Sequence, residues 1–268
     1  MALNGWDAMH YLALATDYDG TIADDGVVDK PTLTALERLR GGARRLILVT
    51  GRELSDLQRV MPRLDLFDLV VAENGALLYD PATHEQRALG DAPPAAFVER
   101  LRDLGVAPLW VGRVIVATWE PNEGKVLSAI HDLGLNLQIT FNKGAVMVLP
   151  VGVTKASGLR CALARLGLSP LNCIGVGDAE NDIAFLDVCG LPVAVANALT
   201  SVKERAAFVT TGTRGAGVAE LIDQLLATDL AEFDATGERG RVALVADEQG
   251  RPLLYMSKES GSRNCHHG

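Results

Sequence analysis

Five short apolar runs rich in β-branched residues recur along this chain, and segments of helical period lie between them. That alternation admits little besides βαβ units laid around a parallel sheet. The runs fall at 11–16, at 44–50 ("RRLILVT"), at 68–74 ("DLVVAEN"), at 171–177 ("LNCIGVG") and at 191–197 ("LPVAVAN"). Between the first two, "VDKPTLTALERLRGG" sets Pro31 in the first turn of a predicted helix and a glycine pair at its end, as helix start and stop signals require. "RELSDLQRVM" reads as the next helix, two more begin after "GVTK" and "GDAEND", and "GAGVAELIDQLLATDL" reads as a terminal amphipathic helix.

Residues 81–152 break the rhythm. A Pro- and Ala-rich stretch leads to a predicted helix near 95–104, a strand near 109–118, a helix over 121–133 and a strand pair, "NLQITFNKGAVMVLP", turning at Asn-Lys-Gly. The expected fold is therefore α/β: a Rossmann-like parallel-sheet core domain over 9–80 and 153–228, with a small α+β module over 81–152 inserted into it. Residues 229–268 form a C-terminal extension in which "RVALVADEQGRPLLYMSK" suggests a hairpin followed by a frayed end.

Composition narrows the function classes. The 268 residues are 48% hydrophobic and 22% charged, enough for a sizeable core, and no apolar stretch approaches the length of a membrane span. A cytoplasmic location is expected, with no membrane partner. Cys161, Cys173, Cys189 and Cys265 are scattered without CxxC spacing, which argues against a disulfide framework. The formal net charge of −9, with no basic block, sets nucleic acid aside as a partner. A phosphate site in such a chain must carry its positive charge locally.

Ligands of open parallel sheets sit beyond the carboxyl ends of the strands. The first run ends in Asp17, within "DYDGT"; the second ends in Thr50, followed by Gly51 and Arg52; the fourth leads into Asp178, Asn181 and Asp182. A strand period of two puts Asp17 and Asp19 on one side with Tyr18 turned away. Two carboxylates in unlike environments can divide labour, one as nucleophile and the other as proton carrier. Adding Asp178 and Asp182 makes the cluster too negative to stand without a cation. Magnesium fits, as a hard ion that takes a few oxygen ligands and keeps several waters. Lys155, opening a helix capped by Thr154, adds a fixed positive charge.

"DYDGT", "LVTGR", the lone Lys155 and "GDAEND" resemble motifs one to four of the haloacid dehalogenase-like hydrolase superfamily, over residues 12–190 and, by the sheet and helix pattern, to about 228. The insertion resembles the type IIB cap of the Cof-like branch, in a compact form similar to that of trehalose-phosphate and phosphoglycolate phosphatases. The resemblance implies that Asp17 is the nucleophile forming an aspartyl-phosphate and that Asp19 is the general acid and then base. It makes Thr50 a phosphoryl ligand, and Lys155 a support for nucleophile and phosphate. It gives magnesium to Asp178, the Asp17 carboxylate and the Asp19 carbonyl, with Asp182 supporting. Gly20 permits the turn, Thr21 and Gly51 shape the phosphate pocket, and Asn181 lies on the substrate side. Dehalogenases of the superfamily lack the second aspartate and transport ATPases put Thr there, so Asp19 points to ester hydrolysis.

Arg52 reads equally as a structural ion-pair partner or a ligand, Trp119 as packing, and Lys143 as a turn residue. "AVMVLPVGVTK" lacks the acidic residue common before motif three in the branch, which leaves the substrate class open. "DEQGRPLLY" faintly resembles the lead-in to an ATPase region found fused to some phosphatase-like domains, which raises an ATPase as a partner, and Met9 reads as an alternative start to Met1. The expected function is a magnesium-dependent phosphatase acting on a small phosphorylated metabolite, a sugar phosphate or a phosphoglycolate-like acid. The alternatives are a phosphomutase or a phosphate-sensing domain without turnover.

Overall fold

A computed structural model describes residues 10–230 and, beyond them, two short strands near the C-terminus. In chain order the elements are β1 (Ala13–Thr16), α1 (Lys30–Gly41), β2 (Arg45–Val49), α2 (Leu54–Val60), β3 (Leu69–Ala72), β4 (Leu77–Tyr79) and β5 (Gln86–Ala88). Then come α3 (Ala95–Asp103), β6 (Trp110–Val111), β7 (Val116–Trp119), α4 (Glu123–Asp132), β8 (Leu137–Asn142) and β9 (Ala145–Pro150). The chain continues through α5 (Lys155–Arg165), β10 (Cys173–Gly177), α6 (Ile183–Leu186), β11 (Leu191–Ala194), α7 (Thr200–Lys203), β12 (Phe208–Val209) and α8 (Arg214–Thr228). It ends in the antiparallel pair β13 (Val245–Ala246) and β14 (Pro252–Leu253), where the sequence suggests a hairpin.

The large sheet has the order β12-β11-β10-β1-β2-β3-β4-β5, parallel from β12 to β3 and antiparallel at β4 and β5. Every residue of β1, β3, β10 and β11 is buried, as expected of strands covered on both faces. The start signals read from the sequence hold: Asp29 caps α1 by accepting from Thr32 N at 2.9 Å, with Pro31 in the first turn. β4 and β5 carry no apolar run long enough to announce a strand, and the exposed Gln86, Arg87 and Ala88 pair at the sheet edge. β5 therefore belongs to the large sheet although it lies within 81–152.

A separate antiparallel sheet, in the order β6-β7-β9-β8, has two unlike faces. Along β9 the side chains alternate. Val146 and Val148 pack with Phe97 and Leu101 of α3 and Val126 of α4, while Met147 and Leu149 turn to Ala76, Ile115 and Val153. One face is sealed by its own helices and the other leans on the large-sheet domain.

The strand expected near 109–118 is instead split into β6 and β7 by a tight turn. Gly112 N donates to Ile115 O at 2.8 Å, and the next amides leave the sheet for a buried carboxylate. Glu73, just past β3, accepts Arg113 N on Oε1 at 2.8 Å and Val114 N and Ile115 N on Oε2 at 2.7 and 2.9 Å. The insert's two ends meet in a seam: a Cβ on Gly90 would fall 2.9 Å from Val153 Cγ2 and 3.2 Å from Pro150 Cγ. Beside it, α5 sits directly on the end of β3, since a Cβ on Gly75 would stand 1.9 Å from Thr154 O. Among the described residues, no helix is long and apolar enough to cross a membrane, and Cys173 and Cys189 form no disulfide.

Candidate active site

β1, β2 and β10 deliver their C-terminal residues to one place. Asp17 follows β1 and is buried, its N donating to Val176 O of β10 at 3.0 Å. Asp178 follows β10, and Asp182 lies one short turn further on, with no exposed surface. Oxygens of Asp17, Asp178 and Asp182 lie within 4.8 Å of one another, a spacing that can hold a metal ion. Asp17 lies far from Asp178 and Asp182 in the sequence, and the parallel pairing of β1 with β10 brings it beside them.

Lys155 stands among them. Thr154 and Ser157 form a reciprocal cap, Ser157 N donating to Thr154 Oγ1 at 3.2 Å and Thr154 N to Ser157 Oγ at 2.9 Å. This fixes Lys155 as the first residue of α5, where its Nζ donates to Asp17 Oδ1 and to Asp182 Oδ1, both at 2.6 Å. Burial alone would lower the lysine's pKa, but the Asp17 and Asp182 charges override it and hold the ammonium protonated. Asp17 is pushed up to about 7, first by burial and then by the Asp182 charge, against the pull of Lys155. Burial likewise raises Asp178.

The donor set suits a hard divalent cation. Asp182 is fully engaged, Oδ1 with Lys155 and Oδ2 with the amides of Asp178 at 2.9 Å and Ala179 at 3.0 Å. Asp17 keeps Oδ2 after Lys155 has taken Oδ1. Lys143 Nζ already bridges Asp178 Oδ2 at 3.0 Å and Asp19 O at 3.3 Å, so a positive charge is accommodated between those two oxygens. Gly20 has φ +90°, and a Cβ there would lie 2.4 Å from Asp178 Oδ2, so the loop closes over the carboxylate only with glycine.

The remaining expected residues fall around this centre. Thr21 Oγ1 donates to Asp178 Oδ1 at 3.3 Å. Thr50 is buried at the end of β2, its Oγ1 accepting from Arg52 N at 3.1 Å, and Gly51 follows on the wall of a cleft. Asn181 Nδ2 reaches Asn74 Oδ1 at 3.5 Å, and Asn181 Oδ1 is buried without a hydrogen-bond partner. The Asp19 side chain turns outward into a bidentate pair with Arg52, Nε to Oδ2 at 2.7 Å and Nη2 to Oδ1 at 2.6 Å.

Three residues exceed what the sequence says of them. Lys143 is a turn residue, with φ +48°, and also a long arm from the β8–β9 tip into the acidic centre. Trp119 is 44% exposed beside the cleft, so it does not serve packing alone. Asn197 bridges the Gly20 loop to α8, donating to Gly20 O at 2.8 Å and accepting Arg214 N at 2.7 Å. No motif marks Asn197 or Glu73. The one local signal is a polar residue directly after an apolar strand run.

Comparison with known proteins agrees with this geometry. The family model described as haloacid dehalogenase-like hydrolase matches residues 14–100 and 123–222. A phosphoglycolate phosphatase of Methanothermobacter thermautotrophicus is 30% identical over 225 residues, covering 80% of this chain and 98% of the relative. One from Haloarcula marismortui is 34% identical over 220 residues, covering 78% and 95%. Among solved structures, a haloacid dehalogenase-like hydrolase of Bacteroides thetaiotaomicron aligns with TM-score 0.67 at 19% identity, over 80% of this chain and 99% of that one. A subclass IIB sugar phosphatase aligns with TM-score 0.65 at 20% identity, over 80% and 98%. With the motifs, the sheet order and the match in agreement, the chain belongs to the haloacid dehalogenase-like hydrolase family, in its Cof-like branch.

Proposed function

We propose that this protein is a magnesium-dependent phosphomonoesterase that acts on a small phosphorylated metabolite through an aspartyl-phosphate. The observation that carries the reading is the buried Lys155 ammonium, 2.6 Å from Asp17 Oδ1 and from Asp182 Oδ1, in a centre where three carboxylates converge. Lys155 holds Asp17 in one orientation and offsets the approach of an anionic substrate. Asp17 Oδ2, left without that contact, attacks phosphorus, and the bond from phosphorus to the leaving oxygen breaks. Asp19 delivers a proton to the leaving oxygen, and afterwards takes one from the water that attacks the aspartyl-phosphate. Both Asp19 oxygens rest on Arg52, so Asp19 gives up part of that pair to reach the leaving oxygen. Thr50, Thr21, Gly51 and Asn181 are assigned to the phosphoryl group. Asp17, Asp178 and the Asp19 carbonyl, with Asp182 behind them, would hold magnesium, which would supply charge neutralisation for the transferring phosphoryl group.

In this reading the small sheet with α3 and α4 is a cap over a core in the large sheet, and the protein works in the cytoplasm. The named relatives favour phosphorylated small molecules as substrates. The suggested ATPase partner rests on residues 247–255, of which only those of β14 are described, finds no support in the comparisons, and forms no part of the proposal. The test is phosphate release from a panel of phosphate esters with magnesium, together with acid-quenched detection of a phosphoryl group on the protein. Asp17→Asn is expected to abolish both signals, and Asp19→Asn to abolish turnover. Phosphate retained on an organic product would make the protein a mutase. Absence of turnover across the panel would leave a phosphate sensor.

A further inference from the structure

A cleft of about 550 Å³ opens beside the acidic centre, between the small sheet and the start of α2. Gly51 and Arg52 form its floor, and Arg52 carries Asp19, so the cleft lies on the side from which a proton would reach the leaving oxygen. On the phosphatase reading, the leaving alcohol would sit there. The cleft's volume lies within the range of about 300–1,000 Å³ typical of small-molecule sites. Scaled from about 30 Å³ per water, the five heavy atoms of glycolate fill roughly 100–150 Å³. A two-carbon leaving group leaves most of the chamber unfilled.

The walls say what would fill it. Trp110 and Trp119 meet edge to face at 6.5 Å between ring centroids, at 78°, and both keep close to half their surface exposed. Ile115, Ala117 and Met147 continue the apolar wall along the small sheet. The facing wall is charged but satisfied within itself: Arg52 pairs with Asp19 and Asp56, and Arg59 pairs with Asp56. Two indoles at right angles leave one broad face and one edge for a flat guest, and the Met147 thioether adds a polarisable contact.

Building on the phosphatase reading, we infer that the leaving alcohol of the preferred substrate carries a planar aromatic or heteroaromatic ring, stacked against Trp119 with Trp110 beside it. The assignment separates this chain's specificity from that in the names of its phosphoglycolate-cleaving relatives.

The test compares kcat/KM for benzyl phosphate and pyridoxal 5′-phosphate with those for ethyl phosphate and 2-phosphoglycolate. All four are esters of primary alcohols, so none has the advantage of a phenolic leaving group. The ring esters are expected to lead by at least tenfold. Trp119→Ala should lower the ratio of kcat/KM for the ring esters to that for ethyl phosphate about tenfold, and Trp119→Phe should keep most of the ring preference. Preference for 2-phosphoglycolate over both ring esters, or an equal loss on all four in Trp119→Ala, overturns the inference and leaves the phosphatase standing. Failure to release phosphate from any of the four, with no phosphoenzyme, removes the phosphatase reading and the inference with it.

Discussion

Replacing Glu73 should release the small sheet from the large one while leaving the large sheet folded. Its carboxylate is buried and accepts three backbone amides, Arg113 N on Oε1 and Val114 N and Ile115 N on Oε2. A hydrogen bond to a charged acceptor contributes about 1.5–3 kcal/mol, and a buried amide left without a partner costs about 1–3 kcal/mol. Glu73→Gln, oriented to keep its carbonyl oxygen on Val114 and Ile115, loses only the Arg113 contact and should weaken docking of the small sheet by about 1–3 kcal/mol. Glu73→Ala abandons all three amides, two of them fully buried, and should cost roughly 3–6 kcal/mol before relaxation. At about 1.4 kcal/mol per factor of ten, exchange of the amides at 113–115 should accelerate roughly tenfold in Gln and a hundredfold or more in Ala. Hydrogen exchange resolved by residue reads this directly, with amides of β1 and β2 as the internal reference. Unchanged protection at 113–115 in the Ala variant would refute the anchoring role. Equal loss at 113–115 and in β1 and β2 would show that Glu73 supports the whole fold instead.

Gly20→Ala forces a Cβ to within 2.4 Å of Asp178 Oδ2 at a φ of +90°, so kcat/KM on any substrate turned over should fall at least about a hundredfold and the melting temperature by several degrees. Lys143→Ala removes an ammonium 3.0 Å from Asp178 Oδ2, and calorimetric titration should find divalent cations bound about fivefold more tightly, from roughly 1 kcal/mol of solvent-exposed charge repulsion. Weaker binding would mean that Lys143 supports the cation site. In chelator-treated protein, the Asp17 pKa of about 7 exceeds its unfolded value of 3.8, so the folded state holds the extra proton between those limits. Stability relative to Asp17→Asn should therefore be greatest near pH 4 and fall as pH rises to about 7, as thermal melts of both proteins across that window will report.

The parallel core was legible because each buried strand announces itself as an apolar run, and the run's last residue is where chemistry collects. Asp17, Thr50 and Asp178 follow from that rule, and the helix cap at Thr154 locates Lys155. β5 was not legible, because Gln86, Arg87 and Ala88 are exposed at an edge and alternate with nothing. The break between β6 and β7 escaped for another reason: its cause, Glu73, lies some forty residues upstream. Residue type gave Lys143 its place in a turn, but the reach of its side chain into the acidic centre depends on how the hairpin leans across the core. Single-residue pattern reading captures what an element does to itself and misses what one element does to another.

The seam where Gly90 meets Pro150 and Val153 carries a consequence for how this architecture diversifies. Because the excursion departs and returns at a single point, its only covalent links to the large sheet are two adjoining chain ends, whatever lies between them. A short turn could close that gap, and so could a bigger or smaller lobe, without shifting Asp17, Lys155 or Asp178. Selectivity is thereby detachable from reactivity: drift in the lobe can retarget the enzyme while the apparatus beneath it stays as it was.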